Sequence, residues 1–437
     1  MKTKQIPKKI NVITMGCSKN LVDSEHLMAQ LKANKIQVMH EQDNEDYDAV
    51  IINTCGFIAD AKEESIDMIL NAVDAKRAGH LDKVYVMGCL SERYKNELPS
   101  EITEVDGYYG ATDADIKKIT EGIGVEYRDE LVGERELTTP SHYAYLKISE
   151  GCNRTCAFCA IPKIRGKHKS IEMDILLQEA RSIADKGVKE LILIAQDLVS
   201  YGIDIYKRLA LAELLRELVK IEGIEWIRLH YTYPNNFPID VLELMNSEEK
   251  IANYVDIPLQ HINDRVLKSM KRNHNSETTR GLVNKMRETV PGVAIRTTLI
   301  VGFPGETDEE FQELKEFVRD SKFDRMGVFT YSPEENTSAF DLEDDVPEEV
   351  KLERKEELMQ LQQGISLEIN QNKLGKTYKV IIDRIEDEHY VGRTEFDSPE
   401  VDNEVLIEYD SCDLEIGKFY QVKITQVDSF DLYAKIV

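Results

Sequence analysis

At 437 residues, with 42% hydrophobic and 31% charged side chains, the chain has room for about three domains with buried cores. No apolar run approaches the ~20 residues that span a bilayer, which excludes a transmembrane helix. A formal net charge of −26 repels a phosphate backbone and argues against strong nucleic-acid binding, while it would steer a basic protein inward. Acidity of this kind also simply keeps a protein soluble. Seven cysteines, an odd number in a long chain, do not form a secreted disulfide framework and suit reduced ligand thiols better. The basic start, Met1 to Lys9, leads into a strand-like run and not a signal-peptide core, so the expected compartment is the cytoplasm.

Residues 10 to about 125 alternate strand and helix patterns. Three apolar runs, Val12–Met15, Val50–Asn53 and Val84–Met87, each lead to a cysteine five residues after the opening Val: Cys17, Cys55 and Cys89. Met-Gly-Cys occurs twice, at Met15–Cys17 and Met87–Cys89. In an open parallel sheet the loops after the strands emerge at one edge, where ligands bind. The three cysteines can therefore converge on one metal site. A single Cys of this kind would read as a small buried residue closing a strand; the shared register favours the metal.

Residues 1–128 are thus expected to form a parallel α/β domain, followed by a linker over 129–141. From there a second series supplies six strand candidates: Tyr145–Ser149, Leu191–Ala195, Trp226–His230, Tyr254–Pro258, Ala294–Val301 and Met326–Thr330. With helices such as Met173–Lys186 and Leu211–Ile221 between them, they predict a partial or full (β/α) barrel over 142–372, ending in a charged helical segment from Pro347. Cys152, Cys156 and Cys159 follow the first of these strands, at the mouth where barrel enzymes keep their chemistry. Three thiolates within eight residues can meet on one centre. A cubane iron–sulfur cluster takes four thiolates, so three leave one iron open; a zinc site completed by a distant Cys or by His168 is the other reading. Beyond residue 373 the period becomes two. Thr377–Ile385, Tyr390–Glu395, Glu404–Ile407, Phe419–Val427 and Leu432–Ile436 predict a small five-stranded barrel resembling oligonucleotide-binding folds.

Other signals are weaker. Ile300–Thr307 carries glycines at a strand end but no Gly-Lys-Ser/Thr, and reads as a tight turn. Gln196-Asp197 and Gln260-His261 end strands at the barrel mouth, where polar residues serve as ligand contacts or loop caps. His230 reads as a satisfied structural histidine. Phe158 is an apolar side chain held beside the cluster. Lys163, Arg165, Lys167, His168 and Lys169 form a basic run, either a solvated loop or a contact for an anion.

These residues carry a resemblance. Cys152-x-x-x-Cys156-x-Phe158-Cys159 resembles the signature of the radical S-adenosylmethionine (SAM) superfamily. With Cys17, Cys55 and Cys89 before it, the whole chain resembles the methylthiotransferases, and the last barrel resembles their TRAM domain. The runs Met15–Glu25, Asn53–Ile58 and Ile148–Asn153 resemble the ribosomal-protein (RimO-type) branch. The tRNA-modifying branch typically carries Gln and Met-Asn after the first cysteine, where Ser18-Lys19-Asn20 stands here. Ile171 departs from the Arg that relatives usually have after the Ser.

The resemblance implies two [4Fe–4S] clusters. Cys152, Cys156 and Cys159 would hold the one that cleaves SAM to a 5′-deoxyadenosyl radical, which takes hydrogen from the β-carbon of an aspartate. Cys17, Cys55 and Cys89 would hold the auxiliary cluster that supplies or carries sulfur, and a second SAM would give the methyl group. Phe158, Gln196, Gln260, Arg296 and Val301 would line the SAM pocket. The implied partners are small-subunit ribosomal protein twelve and an electron donor such as flavodoxin or ferredoxin; a tRNA adenosine is the alternative substrate. From Gln371 to Val437 the count is eight Lys or Arg against fifteen Asp or Glu, which suits docking a basic protein more than gripping RNA. Cys412 is expected to be a free thiol.

Overall fold

The computed structural model describes residues 6–42, 46–131, 133–409 and 413–437; Cys412 lies outside them. The first domain runs β1 (Lys9–Thr14), α1 (Ser18–Ala33), β2 (Gln37–His40), β3 (Ala49–Thr54), α2 (Ala59–Arg77), β4 (Lys83–Gly88), α3 (Cys89–Arg93) and β5 (Gly107–Tyr108). Its parallel sheet has the order β2-β1-β3-β4-β5. Both faces are covered: Val50 and Ile52 pack with Ile69 and Val73, and Ile51 on the other side packs with Ile10 and Leu27. Such two-sided burial is why these strands are continuous apolar runs. β2 and β5 add two strands the reading lacks, because four and two residues carry too little pattern.

The second domain holds β6 (Tyr143–Lys147), β7 (Ser149–Glu150), β8 (Lys169–Ser170), β9 (Glu190–Ile194), β10 (Trp226–Leu229), β11 (Ile251–Asp256), β12 (Ala294–Val301) and β13 (Arg325–Thr330). Six of them form one sheet in the order β13-β12-β11-β10-β9-β6, parallel throughout and open between its ends. All six expected strands are there, and the barrel is partial. Leu191, Leu193, Ile227, Val255 and Ile295 face the outer helices. The alternate positions, Glu190, Arg228, Tyr254, Arg296 and Arg325, face inward. β7 and β8 pair as a short ribbon at the base of the loop that carries Cys152, Cys156 and Cys159.

The third domain is a closed barrel of β14 (Thr377–Glu386), β15 (His389–Thr394), β16 (Val405–Glu408), β17 (Phe419–Val427) and β18 (Leu432–Ile436). The connection from β15 to β16 enters the open side of the second domain. Arg228 Nη1 donates to the Glu395 carbonyl (2.7 Å), Arg325 pairs with Asp397, and Tyr254 Oη donates to Asp402 (2.7 Å). His230 is buried against Ser398 Oγ at 2.8 Å, the structural role expected of it. The inward charges of the second domain are therefore satisfied by the third.

Two segments differ from a plain reading. Residues 133–139 are packed between domains: Arg135 is buried and bonds Glu25 (3.1 Å), Glu179 (2.9 Å) and the Tyr145 carbonyl (2.5 Å). The helix Glu348–Gln371 buries a largely polar face, with Lys351, Arg354, Gln362 and Asn370 inward. Its partners are main-chain carbonyls and carboxylates, among them Phe323 O, Asp428 O and Asp308.

Candidate active site at the junction of the three domains

The Cys152 loop leaves the first barrel strand and is pinned by its own ends and by two neighbours. Cys152 N donates to Gly166 O (3.1 Å), Ala157 N to Met270 O (2.8 Å), and Ala339 N to Ala157 O (2.8 Å). Cys152 is buried, and Cys156 and Cys159 are half-buried. Burial pushes the Cys152 thiol up to about 11 and that of Cys159 up to about 12. Donors already face the sulfurs: Arg154 N reaches Cys152 Sγ at 3.4 Å, and Arg272 Nη1 reaches Cys156 Sγ at 3.4 Å. The Tyr233 ring carries the guanidinium groups of Arg154 and Arg272 at 4.0 and 4.3 Å, and its hydroxyl lies 3.9 Å from Cys156 Sγ. Phe158 joins an apolar cluster with Val266, Met270, Phe303 and Tyr331.

The second triplet is built by register. Thr14 lies beside Asn53, and Thr54 beside Gly88, so β1, β3 and β4 end together. The repeated Met-Gly-Cys has a steric reason. Gly16 has φ +88° and Gly88 φ +100°, and an added Cβ would lie 2.9 Å from Cys55 Sγ in the first case and 2.6 Å from Thr54 O in the second. Cys17 is exposed, Cys55 half-buried and Cys89 buried. Burial pushes the Cys89 thiol up to about 11.

These donor sets fit iron–sulfur ligation: three thiolates in each, with N–H donors directed at the sulfurs. Among the described residues, no three His, Cys, Asp or Glu side chains close on a point that one ion would fill. In a four-iron cluster each thiolate binds its own iron, so its ligands stand apart. His168, the possible zinc ligand, is buried with Nε2 3.1 Å from Ser170 Oγ.

Beside Cys17 lies a cavity of about 260 Å³ to which all three domains contribute. Gly16, Cys17 and Ser18 wall it from the first domain, Tyr145, Tyr231, Asp256 and Arg296 from the barrel interior, and Glu400 from the third domain. Lys19 Nζ sits 3.0 Å from the Tyr231 ring centroid. Arg296 is held by Asp256 (3.4 Å) and Asp402 (3.3 Å).

The other expected pocket residues are spread out. Gln196 donates to Glu150 just before the Cys152 loop. Gln260 sits at φ +74° and bridges to Leu299. Val301 is fully buried in the core on the helix side of the sheet. Ile171 packs against that same core. The basic run is neither a solvated loop nor an anion contact as a whole: Lys163, Lys167 and Lys169 are exposed, while Arg165 and His168 are buried. Tyr233 and Arg272 escaped the sequence reading as site residues, and Arg165 entered it only as part of the basic run, since nothing local marks an arginine as buried. Turn Ile300–Thr307 is closed by Glu306 Oε2, which accepts from Gly302 N (2.5 Å) and Phe303 N (3.1 Å).

Family models match in three places: the Radical SAM superfamily over residues 146–318, Uncharacterized protein family UPF0004 over 9–110, and the TRAM domain over 374–437. Among solved structures, the radical S-adenosylmethionine methyltransferase TsrM from Kitasatospora setae, with cobalamin and a [4Fe–4S] cluster bound, is 14% identical with a TM-score of 0.54. That likeness covers 74% of this chain and 75% of that one. The cobalamin-dependent S-adenosylmethionine radical enzyme OxsB is 12% identical with a TM-score of 0.53, over 83% of this chain and 56% of that one. At these identities the likeness is one of fold. Fold, matched models and cysteine loop together define a radical SAM enzyme that uses iron–sulfur chemistry.

Its nearer relatives are proteins named "Ribosomal protein uS12 methylthiotransferase RimO". Those of Flavobacterium psychrophilum and Christiangramia forsetii are 58% and 57% identical, over 100% of this chain and 100% and 96% of theirs. That of Bacteroides thetaiotaomicron is 54% identical over 98% of both chains. The chain belongs to the RimO methylthiotransferase family.

Proposed function

We propose that this enzyme converts an aspartate of ribosomal protein uS12 to its β-methylthio derivative, with Cys152, Cys156 and Cys159 and Cys17, Cys55 and Cys89 each holding a [4Fe–4S] cluster. Bound at the first triplet, a cluster with an open iron supplies the electron that cleaves SAM and so makes a radical able to break an unactivated C–H bond. The chain's own residues do the rest. Arg154 and Arg272 direct N–H groups at the Cys152 and Cys156 sulfurs. The apolar group around Phe158 keeps water from the loop. Cys17 presents the sulfur-handling site to the cavity in which the target side chain would sit, walled by Tyr145, Tyr231 and Arg296. Gln196, Gln260 and Phe158 belong to the SAM side of this reading.

The observation that carries it is that cavity: it opens Cys17 of the second triplet to barrel-interior residues Tyr145, Asp256 and Arg296. The uS12 substrate rests on the names of full-length relatives. The net charge of −26 suits a basic protein substrate. Residues 1–128, 142–372 and 373–437 act as the three working units, in the cytoplasm where ribosomes are made, with flavodoxin or ferredoxin as electron source.

The test is to reconstitute the chain anaerobically and offer uS12 and tRNA separately with SAM and a strong reductant. A mass gain of one methylthio group on uS12 is expected. That gain on tRNA with none on uS12 would overturn the substrate, and failure to cleave SAM would leave only an electron carrier.

A further inference from the structure

Arg165 lies buried where the first domain meets the barrel, and its guanidinium has an acceptor on every side. Nη1 donates to Asp23 Oδ2 (2.6 Å), Ala111 O (2.6 Å) and Glu150 Oε2 (3.2 Å), and Nη2 donates to Asn20 Oδ1. Nε–H points at Cys89 Sγ, 3.3 Å away, and has no second acceptor among the described residues. The Asn20 amide is itself fixed, donating to Met15 O (2.8 Å) and Thr54 O (3.1 Å), so its oxygen is turned toward Arg165 and also lies 3.6 Å from Cys89 Sγ, as an acceptor for the thiol when no cluster is bound.

The charges around this point balance without the sulfur. Asp23 and Glu150 are the anions, and Arg165 and Lys147 are the cations, with Lys147 bonded to both carboxylates. A neutral thiol is a poor acceptor for the remaining N–H, whereas a thiolate is a strong one. Glu150, on the far side of the guanidinium, immediately precedes Gly151-Cys152 and is also held by Gln196. One side chain from the barrel thus touches a cysteine of the second triplet and the base of the first cysteine loop.

We propose that Arg165 is a positioning residue of the second cysteine site: its Nε–H donates to the Cys89 thiolate, raises the reduction potential of the cluster held there, and couples that site to the Cys152 loop through Glu150. This rests on the reading that Cys17, Cys55 and Cys89 hold a cluster. Hydrogen bonds to ligating sulfur stabilise the more negative, reduced state, so losing one lowers the potential. An arginine acting through its charge alone would lower the potential in Arg165→Met and leave it unchanged in Arg165→Lys.

The test uses the full chain with Cys152→Ala, Cys156→Ala and Cys159→Ala, reconstituted anaerobically so that only the second site is loaded. Iron content and the midpoint potential from an electron-paramagnetic-resonance titration are measured with Arg165 intact, as Arg165→Lys and as Arg165→Met. About four irons per chain are expected in each. The potential should fall in Arg165→Met, and less in Arg165→Lys, which keeps the charge and loses the Nε donor. Full iron with an unchanged potential in either Arg165→Met or Arg165→Lys overturns the proposal and leaves the cluster reading standing. No iron in the Arg165-intact background overturns the cluster reading, and the proposal with it. Should Arg165→Met not load, Arg165→Lys carries the test: a fall in its potential is expected, and no fall overturns the proposal.

Discussion

Glu190 joins the barrel to the third domain, and its removal should loosen that joint strongly. The carboxylate is fully buried, accepts from Arg228 Nε at 2.7 Å and pairs with Arg393 across the interface. Arg393 keeps Asp383 at 2.9 Å, and Arg228 keeps the Glu395 carbonyl. Glu190→Ala therefore strips each buried guanidinium of one charged partner without exposing either. Breaking a buried pair costs about 3–5 kcal/mol because the surviving charge stays desolvated. Glu190→Gln keeps an acceptor oxygen and should lose about 2–3 kcal/mol, the scale of a hydrogen bond to a charged group. The assay is native-state hydrogen exchange of the 395–403 connection, which plugs the barrel. Protection in Glu190→Ala should drop by about a thousandfold, since ~1.4 kcal/mol is tenfold. A change smaller than about tenfold would refute the view that this pair holds the domains together.

Other outcomes follow from the same geometry. Iron analysis of the reconstituted chain should give about eight irons, and about four after alanine replacement of either triplet; an unchanged count would contradict the two-cluster reading. Gly16→Ala forces a side chain into φ +88° and against Cys55 Sγ at 2.9 Å, so iron should fall toward that of the first site alone while SAM cleavage persists. Glu306 should make stability fall with rising pH. Burial raises its carboxyl from 4.5 to about 7 against the pull of Arg354, so between those values the folded chain keeps a proton that the unfolded chain has lost. Stability drops across that window, by on the order of 3 kcal/mol, and is level above it. Urea unfolding of Glu306→Gln and the parent, compared from pH 4.5 to 8, should show this slope only in the parent.

Much of the architecture was legible because parallel strands buried on both faces must be apolar runs. Ala49–Thr54, Glu190–Ile194 and Ala294–Val301 declare themselves in that way. The cysteines declare themselves by register: Cys17, Cys55 and Cys89 each stand just past a strand end, and flush strands bring them to one edge. The third barrel was legible from its period-two pattern, and its five strands match the expectation closely.

Charged residues are where local pattern stopped being informative. Arg165 sits in a basic run that looks solvated, yet it is buried between Asp23, Glu150 and Cys89. Glu190, Arg228 and Arg325 look like the wet face of their strands, and the 395–403 connection covers that face instead. The chain by itself determined which segments become strands and where the two cysteine triplets fall, since burial of apolar side chains and strand-end register are written locally. Only the tertiary structure decided which charges are buried and which sulfur they face, because a buried charge is tolerated only beside a partner, and these partners come from distant parts of the chain.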